Sequence, residues 1–161
     1  MANVNSRLIY DGRNTAGTDD IIVIVTGLDQ KSINGKTKDM AQVFILNKLE
    51  SPTVAVVTGS DQSVCGNCFL RPIISKQLKL AGESSISCYV DKWRGPEGTW
   101  KSWHAGNVAS ITPLEASELI SSLKACDYEA THPRRLCKNP GKSLGVRLGA
   151  YGDPALSLIH I

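Results

Sequence analysis

The sequence predicts an α/β domain, either an open sheet or an incomplete, truncated barrel, with residues 1–155 as a single domain. Short apolar runs rich in β-branched residues, which suit buried strands, alternate with segments that open on helix-capping residues. A cysteine-containing loop separates the first strands from the helices that follow. The hydrophobic fraction of 42% is ordinary for a globular protein and predicts a packed core.

The first part of the chain predicts strands. Arg7–Tyr10 predicts a short strand. Ile21–Val25 is β-branched throughout and is followed by Thr-Gly, which indicates a fully buried strand. After the polar loop Asp29–Asp39, the segment Met40–Leu46 predicts another strand.

The segment after the second buried strand is open to two interpretations. Ser51 suits an N-cap and Pro52 suits the first helical position, which favours a short helix. Val54–Val57 carries three valines, which favours a strand. Both interpretations stand at this point.

The middle of the chain predicts two helices separated by a strand. Phe69–Leu80 predicts a helix with Pro72 near its start, and Pro96–Ala105 predicts a second short helix. Between them, Ser85–Val90 predicts a strand that carries Cys88.

The last predicted helix begins with a capping box. Thr112 and Glu115 have the spacing of that motif, and the helix is expected to run to about Cys126. Its predicted apolar side contains Leu114, Leu119, Ile120 and Leu123. An irregular basic loop, Asp127–Ser143, then leads to a final strand at Leu144–Gly149.

Charge and hydropathy narrow the class of protein. The formal net charge of +3 does not by itself indicate nucleic-acid binding. The start lacks the pattern of a signal peptide, and the longest apolar run is too short to cross a bilayer. A cytoplasmic protein is therefore expected, and its five cysteines are expected to be thiols or metal ligands rather than disulfides.

The final six residues do not have the sequence expected of a natural C-terminus. Leu156–Ile161 resembles the translation of a transposase adapter used in sequencing-library preparation. The native chain is expected to continue after Ala155, and His160 is excluded as a site residue.

The strongest motif is Cys65-Gly66-Asn67-Cys68, with Cys88 about twenty residues later. Two cysteines at this spacing can turn both sulfurs to one point, and glycine removes a Cβ from the turn. The sequence therefore predicts a metal site at Cys65, Cys68 and Cys88; the alternative is that these cysteines pack as small apolar residues. A closed fourth position predicts zinc, and an open one predicts an iron–sulfur cluster. Candidates for a fourth ligand are Cys126, Cys137, His104 and His132.

The residues after the last predicted strand form a second candidate site. Tyr151, Gly152 and Asp153 precede a proline, a composition typical of a turn that ends a strand. In the functional interpretation, Asp153 and nearby backbone groups line a ligand pocket at the same sheet edge as the cysteines.

Much of the chain resembles a family of uncharacterised bacteriophage and prophage proteins. The resemblance covers most of residues 35–155 and implies a protein of the cytoplasm of an infected or lysogenic bacterium. The segments that carry it are Gly35–Met40, Gln42–Leu46, Val64–Cys68, Cys88–Val90, Gly95-Pro96, Trp100, Gly106 and Arg147–Ala155.

The order of the motifs also resembles that of radical S-adenosylmethionine enzymes. Those enzymes have three cluster cysteines, an aromatic residue beside the last one, and a later Gly-Gly-Glu-Pro-like strand end. The resemblance implies that Cys65, Cys68 and Cys88 bind an iron–sulfur cluster. It also implies that Tyr151, Gly152 and Asp153 lie near the bound S-adenosylmethionine.

Basic and aromatic residues suggest a different function. They predict a groove for single-stranded nucleic acid, in a zinc-stabilised module for phage replication or regulation. The alternative is that Trp100 and Trp103 pack in the core while the charges are solvated. The residues concerned are Lys92, Trp93, Arg94, Trp100, Lys101, Trp103 and His104, with Arg134, Arg135, Lys138 and Lys142 as a second group.

Overall fold

A computed structural model describes residues 6–28, 41–83, 88, 90–125 and 146–153. Its strands are β1 (Ser6–Arg13), β2 (Asp20–Thr26), β3 (Ala41–Asn47), β4 (Ala109–Ser110) and β5 (Val146–Tyr151). Its helices are α1 (Pro52–Thr58), α2 (Gln62–Cys65), α3 (Pro72–Leu80), α4 (Gly95–His104) and α5 (Pro113–Ala125).

The five described strands form one open, mixed sheet in the order β4-β1-β2-β3-β5. β1, β2 and β3 pair antiparallel as a meander, whereas β4 pairs parallel with β1 and β5 pairs parallel with β3. The α/β class is confirmed in its open-sheet form. Because β3 and β5 are parallel, their carboxyl ends lie at the same edge of the sheet.

The central strand β2 is the core of the molecule. Ile21, Ile22, Val23, Ile24 and Val25 are all fully buried. A strand covered on both faces reads as a continuous apolar run rather than an alternating one. The predicted buried strand is therefore confirmed, and so is its partner β3.

The segment after β3, for which the sequence allows either a helix or a strand, forms the helix α1. Pro52 occupies its first turn, and Gly59, at φ 88, ends it by donating its N–H to the Ala55 carbonyl oxygen at 2.9 Å. Val54 and Val57 are 48% and 79% exposed, so these valines do not serve a buried strand. The residues at the two ends of the segment, rather than its β propensity, determine the structure.

The predicted capping box opens α5. The Thr112 N–H donates to Glu115 Oε2 at 2.7 Å, and the Glu115 N–H donates to Thr112 Oγ1 at 3.2 Å. The prediction that Leu114 lies on the apolar side is wrong, since it is 69% exposed. Leu119 is buried, as predicted, and so is Ala116. The side chains of Ile120 and Leu123 lie outside the described part of the structure.

The strand predicted around Cys88 is wrong at the residues that the structure describes. Neither Cys88 nor Val90 lies in a strand. The Cys88 N–H instead donates to the Leu70 carbonyl oxygen at 3.0 Å, which ties this segment to the start of the preceding helical region.

Several predicted segments lie outside the described residues. They are Asp29–Asp39, Asp127–Ser143 and the end of the chain from Pro154 to Ile161. Within the described part, no helix combines the length and apolar character needed to cross a membrane.

Candidate functional site

The segment that contains Cys65 and Cys68 folds as a tight turn at the end of α2. Cys65 is the last helical residue, and Gly66 follows with φ 53 and ψ −134. The positive φ suits glycine, because a Cβ disfavours this conformation. The Cys68 N–H then donates to the Cys65 carbonyl oxygen at 3.2 Å, which closes the turn. The backbone of the Cys65–Cys68 segment therefore forms a tight turn.

Polar side chains hold α2 against the sheet. Ser63 lies on α2, and its carbonyl oxygen accepts from Asn14 Nδ2 at 3.3 Å. Its hydroxyl oxygen accepts from Asn47 Nδ2, at the end of β3, at 3.0 Å. Both asparagines are buried, so these hydrogen bonds fix α2 against the β3 end of the sheet.

The third cysteine reaches the same part of the molecule. Cys88 is bonded through its backbone N–H to Leu70, only two residues after Cys68. Cys65 and Cys88 are half-buried, Cys68 is exposed, and all three are free thiols. As placed in the described part of the chain, no three His, Cys, Asp or Glu side chains are grouped closely enough to hold a metal ion.

A buried ion pair lies beneath the cysteine turn. Arg71 Nη2 is 2.6 Å from Asp61 Oδ1, and the two side chains are 6% and 1% exposed. Arg71 Nη2 also donates to the Gly59 carbonyl oxygen at 2.7 Å, and Nη1 donates to the Gly66 carbonyl oxygen at 3.0 Å. The guanidinium thus bridges the end of α1, the start of α2 and the cysteine turn.

Tyr151 comes to this site from the neighbouring strand β5. The register between β3 and β5 shifts near Gly149, whose φ of 63 allows the strand to bulge. Tyr151 is 4% exposed. Burial and the nearby charges of Cys65 and Asp61 raise the pKa of its hydroxyl. The hydroxyl of Tyr151 is therefore close enough to Cys65 and Cys88 for their charges to affect its pKa.

The residues after Tyr151 join the end of β5 to the cysteine segment. The Asp153 N–H donates to the Val64 carbonyl oxygen at 2.7 Å, one residue before Cys65. Gly152 has φ 84, and a Cβ at this position would lie 2.8 Å from Ile45 Cβ and 2.9 Å from the Ile45 carbonyl oxygen. The structure thus places the two predicted sites side by side, with Gly152 packed against β3.

Without a bound cation, the site favours a neutral thiol at Cys65. Burial raises the pKa of Cys65 to about 12, and the negative charges of Asp61, Cys88 and Cys68 act in the same direction. Arg71 acts in the opposite direction but is the smallest of these effects. A metal cation inverts this balance, because it favours the deprotonated ligand.

Two buried donors at this site have no hydrogen-bond partner among the described residues. They are the Nε of Arg71 and the hydroxyl of Tyr151. The two Nη nitrogens of Arg71 bond to Asp61, Gly59 and Gly66, so the guanidinium is held in place while its Nε has no partner among the described residues. Native proteins leave few such groups, and each one calls for an explanation.

Sequence reasoning missed Asp61 and Arg71. The two residues are ten positions apart, and neither belongs to a recognisable motif. A charged pair of this kind is expected at the surface unless tertiary contacts bury it. The one local signal is that Arg71 precedes the proline that opens α3, which fixes its backbone but not its burial.

Two of the tryptophans in the basic and aromatic group pack in the protein. Trp100 Nε1 donates to the Asn47 carbonyl oxygen at 3.0 Å. The Trp100 ring stacks on His104 with ring centroids 4.7 Å apart, and Trp103 meets it edge-on at 6.0 Å. Both indoles contact the core, whereas Trp93 is 73% exposed.

The charges of this group are largely solvated. The Arg94 side chain is 89% exposed and lies 3.4 Å from Asp91, and Lys101 is 3.3 Å from Glu97. The second basic group and three of the four candidate fourth ligands lie outside the described residues; these are Arg134, Arg135, Lys138 and Lys142, and Cys126, Cys137 and His132.

Comparisons of the chain with protein-family models, with curated proteins and with solved structures gave no match.

Proposed function

We propose that Cys65, Cys68 and Cys88 hold a metal centre, either zinc or an iron–sulfur cluster. The observation that carries the proposal is that the charges of Cys68 and Cys88 act on Cys65, and that two buried donors in the same region, on Arg71 and Tyr151, have no hydrogen-bond partner among the described residues. Thiolates are soft ligands, which select zinc and iron–sulfur clusters over hard cations such as magnesium.

The unpaired donors support a site that takes up a ligand. A buried donor without a partner costs about 1–3 kcal/mol. Arg71 interacts electrostatically with Cys65 and Cys68, and Tyr151 with Cys65 and Cys88. Metal-bound thiolates accept hydrogen bonds, and such bonds tune metal sites. Loading the site would therefore place negatively charged acceptors in the region of both donors.

The chemistry of the residues fits a metal, although their side chains need to turn. Ligation requires each sulfur to approach the metal to about 2.3 Å. The backbone turn already brings Cys65 and Cys68 together, and the exposed position of Cys68 lets its side chain rotate. Arg71, held by Asp61, would offset part of the negative charge of the thiolates.

In the enzyme version of this proposal, the centre is an iron–sulfur cluster with one open iron position. Such a cluster supplies an electron to S-adenosylmethionine when it is bound. Tyr151, Gly152 and Asp153 would then lie beside that cofactor, and the hydrogen bond from Asp153 to Val64 keeps them next to the cysteine turn. The phage origin of the chain stays a prediction.

In the zinc version, a fourth protein ligand closes the site and the module is structural. The nucleic-acid interpretation then depends on Trp93, the most exposed of the three tryptophans, with Lys92 and Arg94 beside it. An exposed indole flanked by cations suits stacking on an unpaired base. Quenching of tryptophan fluorescence by single-stranded DNA, lost in Trp93→Ala, would support this function.

The test of the proposal is the metal and sulfide content of the full chain purified without oxygen. Iron with sulfide supports the cluster, and one zinc per chain supports the structural module. Either metal should be lost in the Cys65→Ala, Cys68→Ala, Cys88→Ala triple variant. A Cys126→Ala, Cys137→Ala double variant is the matched control: it keeps a three-cysteine cluster but loses a zinc that uses either residue. Equal, trace metal in the wild type and the triple variant would contradict the proposal.

A further inference from the structure

The hydrogen bonding of the cysteine turn is compatible with a disulfide between Cys65 and Cys68. The hydrogen bond from the Cys68 N–H to the Cys65 carbonyl oxygen, at 3.2 Å, closes a four-residue turn. In such a turn the first and last Cα atoms lie less than about 7 Å apart. A disulfide spans Cα separations of about 4.4–6.8 Å. Cys65 and Cys68 can therefore be joined without a large movement of the chain.

The two thiols of the turn differ in their access to solvent. Cys68 is exposed, whereas Cys65 is half-buried at the end of α2. A disulfide in solution therefore meets Cys68 first. Cys65 lies within the same turn, where it can reach the Cys68 sulfur but is less open to an external reagent.

We propose that Cys65 and Cys68 form a redox dithiol that exchanges with low-molecular-weight disulfides. The Cys68 thiolate attacks one sulfur of the external disulfide, whose S–S bond breaks and releases one thiol. Cys65 then gives up its proton, attacks the Cys68 sulfur of this mixed disulfide and releases the second thiol. The protons of the two cysteines pass to the two departing thiolates. The protein loses two electrons, and the external disulfide is reduced to two thiols.

This activity goes beyond the metal centre and does not require it. Its consequence for the metal rests on the proposed function: the Cys65–Cys68 disulfide removes two of the three proposed ligands. Oxidation and metal binding then exclude each other, so the turn would release its metal when the thiols are oxidised.

The test uses the reduced, metal-free full chain, incubated with glutathione disulfide, acid-quenched, alkylated and mapped by peptide mass spectrometry. The expected product is a Cys65–Cys68 disulfide, with Cys88 alkylated. Cys65→Ser should leave glutathione attached to Cys68, and Cys68→Ser should show no glutathione on Cys65. Cys88→Ser is the matched control and should form the disulfide as the wild type does.

Three outcomes would overturn the inference. They are a Cys65–Cys88 disulfide, glutathione that persists on Cys68 in the wild type as it does in Cys65→Ser, and a Cys68 that stays unmodified. Because the exchange is measured without metal, its failure is separate from failure of the metal centre. A protein that binds no metal but forms the Cys65–Cys68 disulfide would contradict the metal proposal alone.

Discussion

Removing the positive charge of the buried ion pair should destabilise the protein severely. In Arg71→Met, the carboxylate of Asp61 stays 1% exposed but loses its charged partner, and the Gly66 carbonyl oxygen loses the guanidinium as its donor. The Gly59 carbonyl oxygen also loses the guanidinium but keeps the Gln62 N–H at 3.2 Å. Breaking a buried pair from one side costs about 3–5 kcal/mol, because an uncompensated charge remains. We expect the free energy of unfolding to fall by that amount at pH 7.

Urea denaturation measures this effect directly. With a slope of about 2 kcal/mol per molar urea, the midpoint should fall by roughly 1.5–2.5 M. The Asp61→Asn, Arg71→Met double variant should recover about 1–2 kcal/mol, since it no longer buries a charge.

Lys101→Met supplies the matched control, because it also replaces a cation by methionine but breaks an ion pair whose lysine is 70% exposed. Its expected cost is about 0–1 kcal/mol. Equal stability of Arg71→Met and Lys101→Met would contradict the predicted cost of leaving the Asp61 carboxylate unpaired. So would a double variant that is no more stable than Arg71→Met.

Four further predictions concern Gly152 at the end of β5, the thiol of Cys65 and the helix α5. Gly152→Ala should lower the free energy of unfolding by about 2–4 kcal/mol, because its Cβ would lie 2.8 Å from Ile45. The control Gly82→Ala has φ 78 and no atom of the described residues within 4 Å, and it should cost about 1 kcal/mol. Equal costs in thermal or urea unfolding would contradict the predicted clash with Ile45. Burial raises the pKa of Cys65 from 9.0 to about 12, so the fraction of this residue that is thiolate at pH 8 falls about 1000-fold. Alkylation of Cys65 should therefore be slow at pH 8. Its rate should rise about tenfold per pH unit towards pH 12. Stability from this shift is present below pH 9 and is lost as the pH rises to 12, so a flat stability profile there would oppose the assignment. Thr112→Ala should lower the free energy of unfolding by about 1 kcal/mol through loss of the capping box, and an unchanged value would show that the cap does not stabilise the native state.

The predictable part of the fold is the part that local sequence determines. β2 is recognisable because a strand buried on both faces needs a continuous apolar run, and Ile21–Val25 provides one. The capping box of α5 is recognisable because its two hydrogen bonds join residues three positions apart. The sequence of α1 does not distinguish a helix from a strand, because its valines favour a strand while Pro52 and Gly59 favour a helix.

The sequence predicts the cysteine turn but not the buried groups around it. The spacing of Cys65 and Cys68 predicts a turn on local grounds, and the backbone forms it. The burial of Arg71 with Asp61 depends on contacts among α1, the cysteine turn and α3, which no local pattern encodes. The strand expected at Cys88 failed for a related reason, since its backbone N–H bonds to Leu70 instead of a neighbouring strand.

X-ray absorption at the metal edge of the full chain, purified without oxygen, is the most direct test of a metal centre held by Cys65, Cys68 and Cys88. A metal centre with three cysteine ligands predicts a shell of sulfur ligands at about 2.3 Å that is absent from the Cys65→Ala, Cys68→Ala, Cys88→Ala variant. No metal edge above that of the variant, or a shell of nitrogen and oxygen alone at about 2.0–2.2 Å, would contradict it.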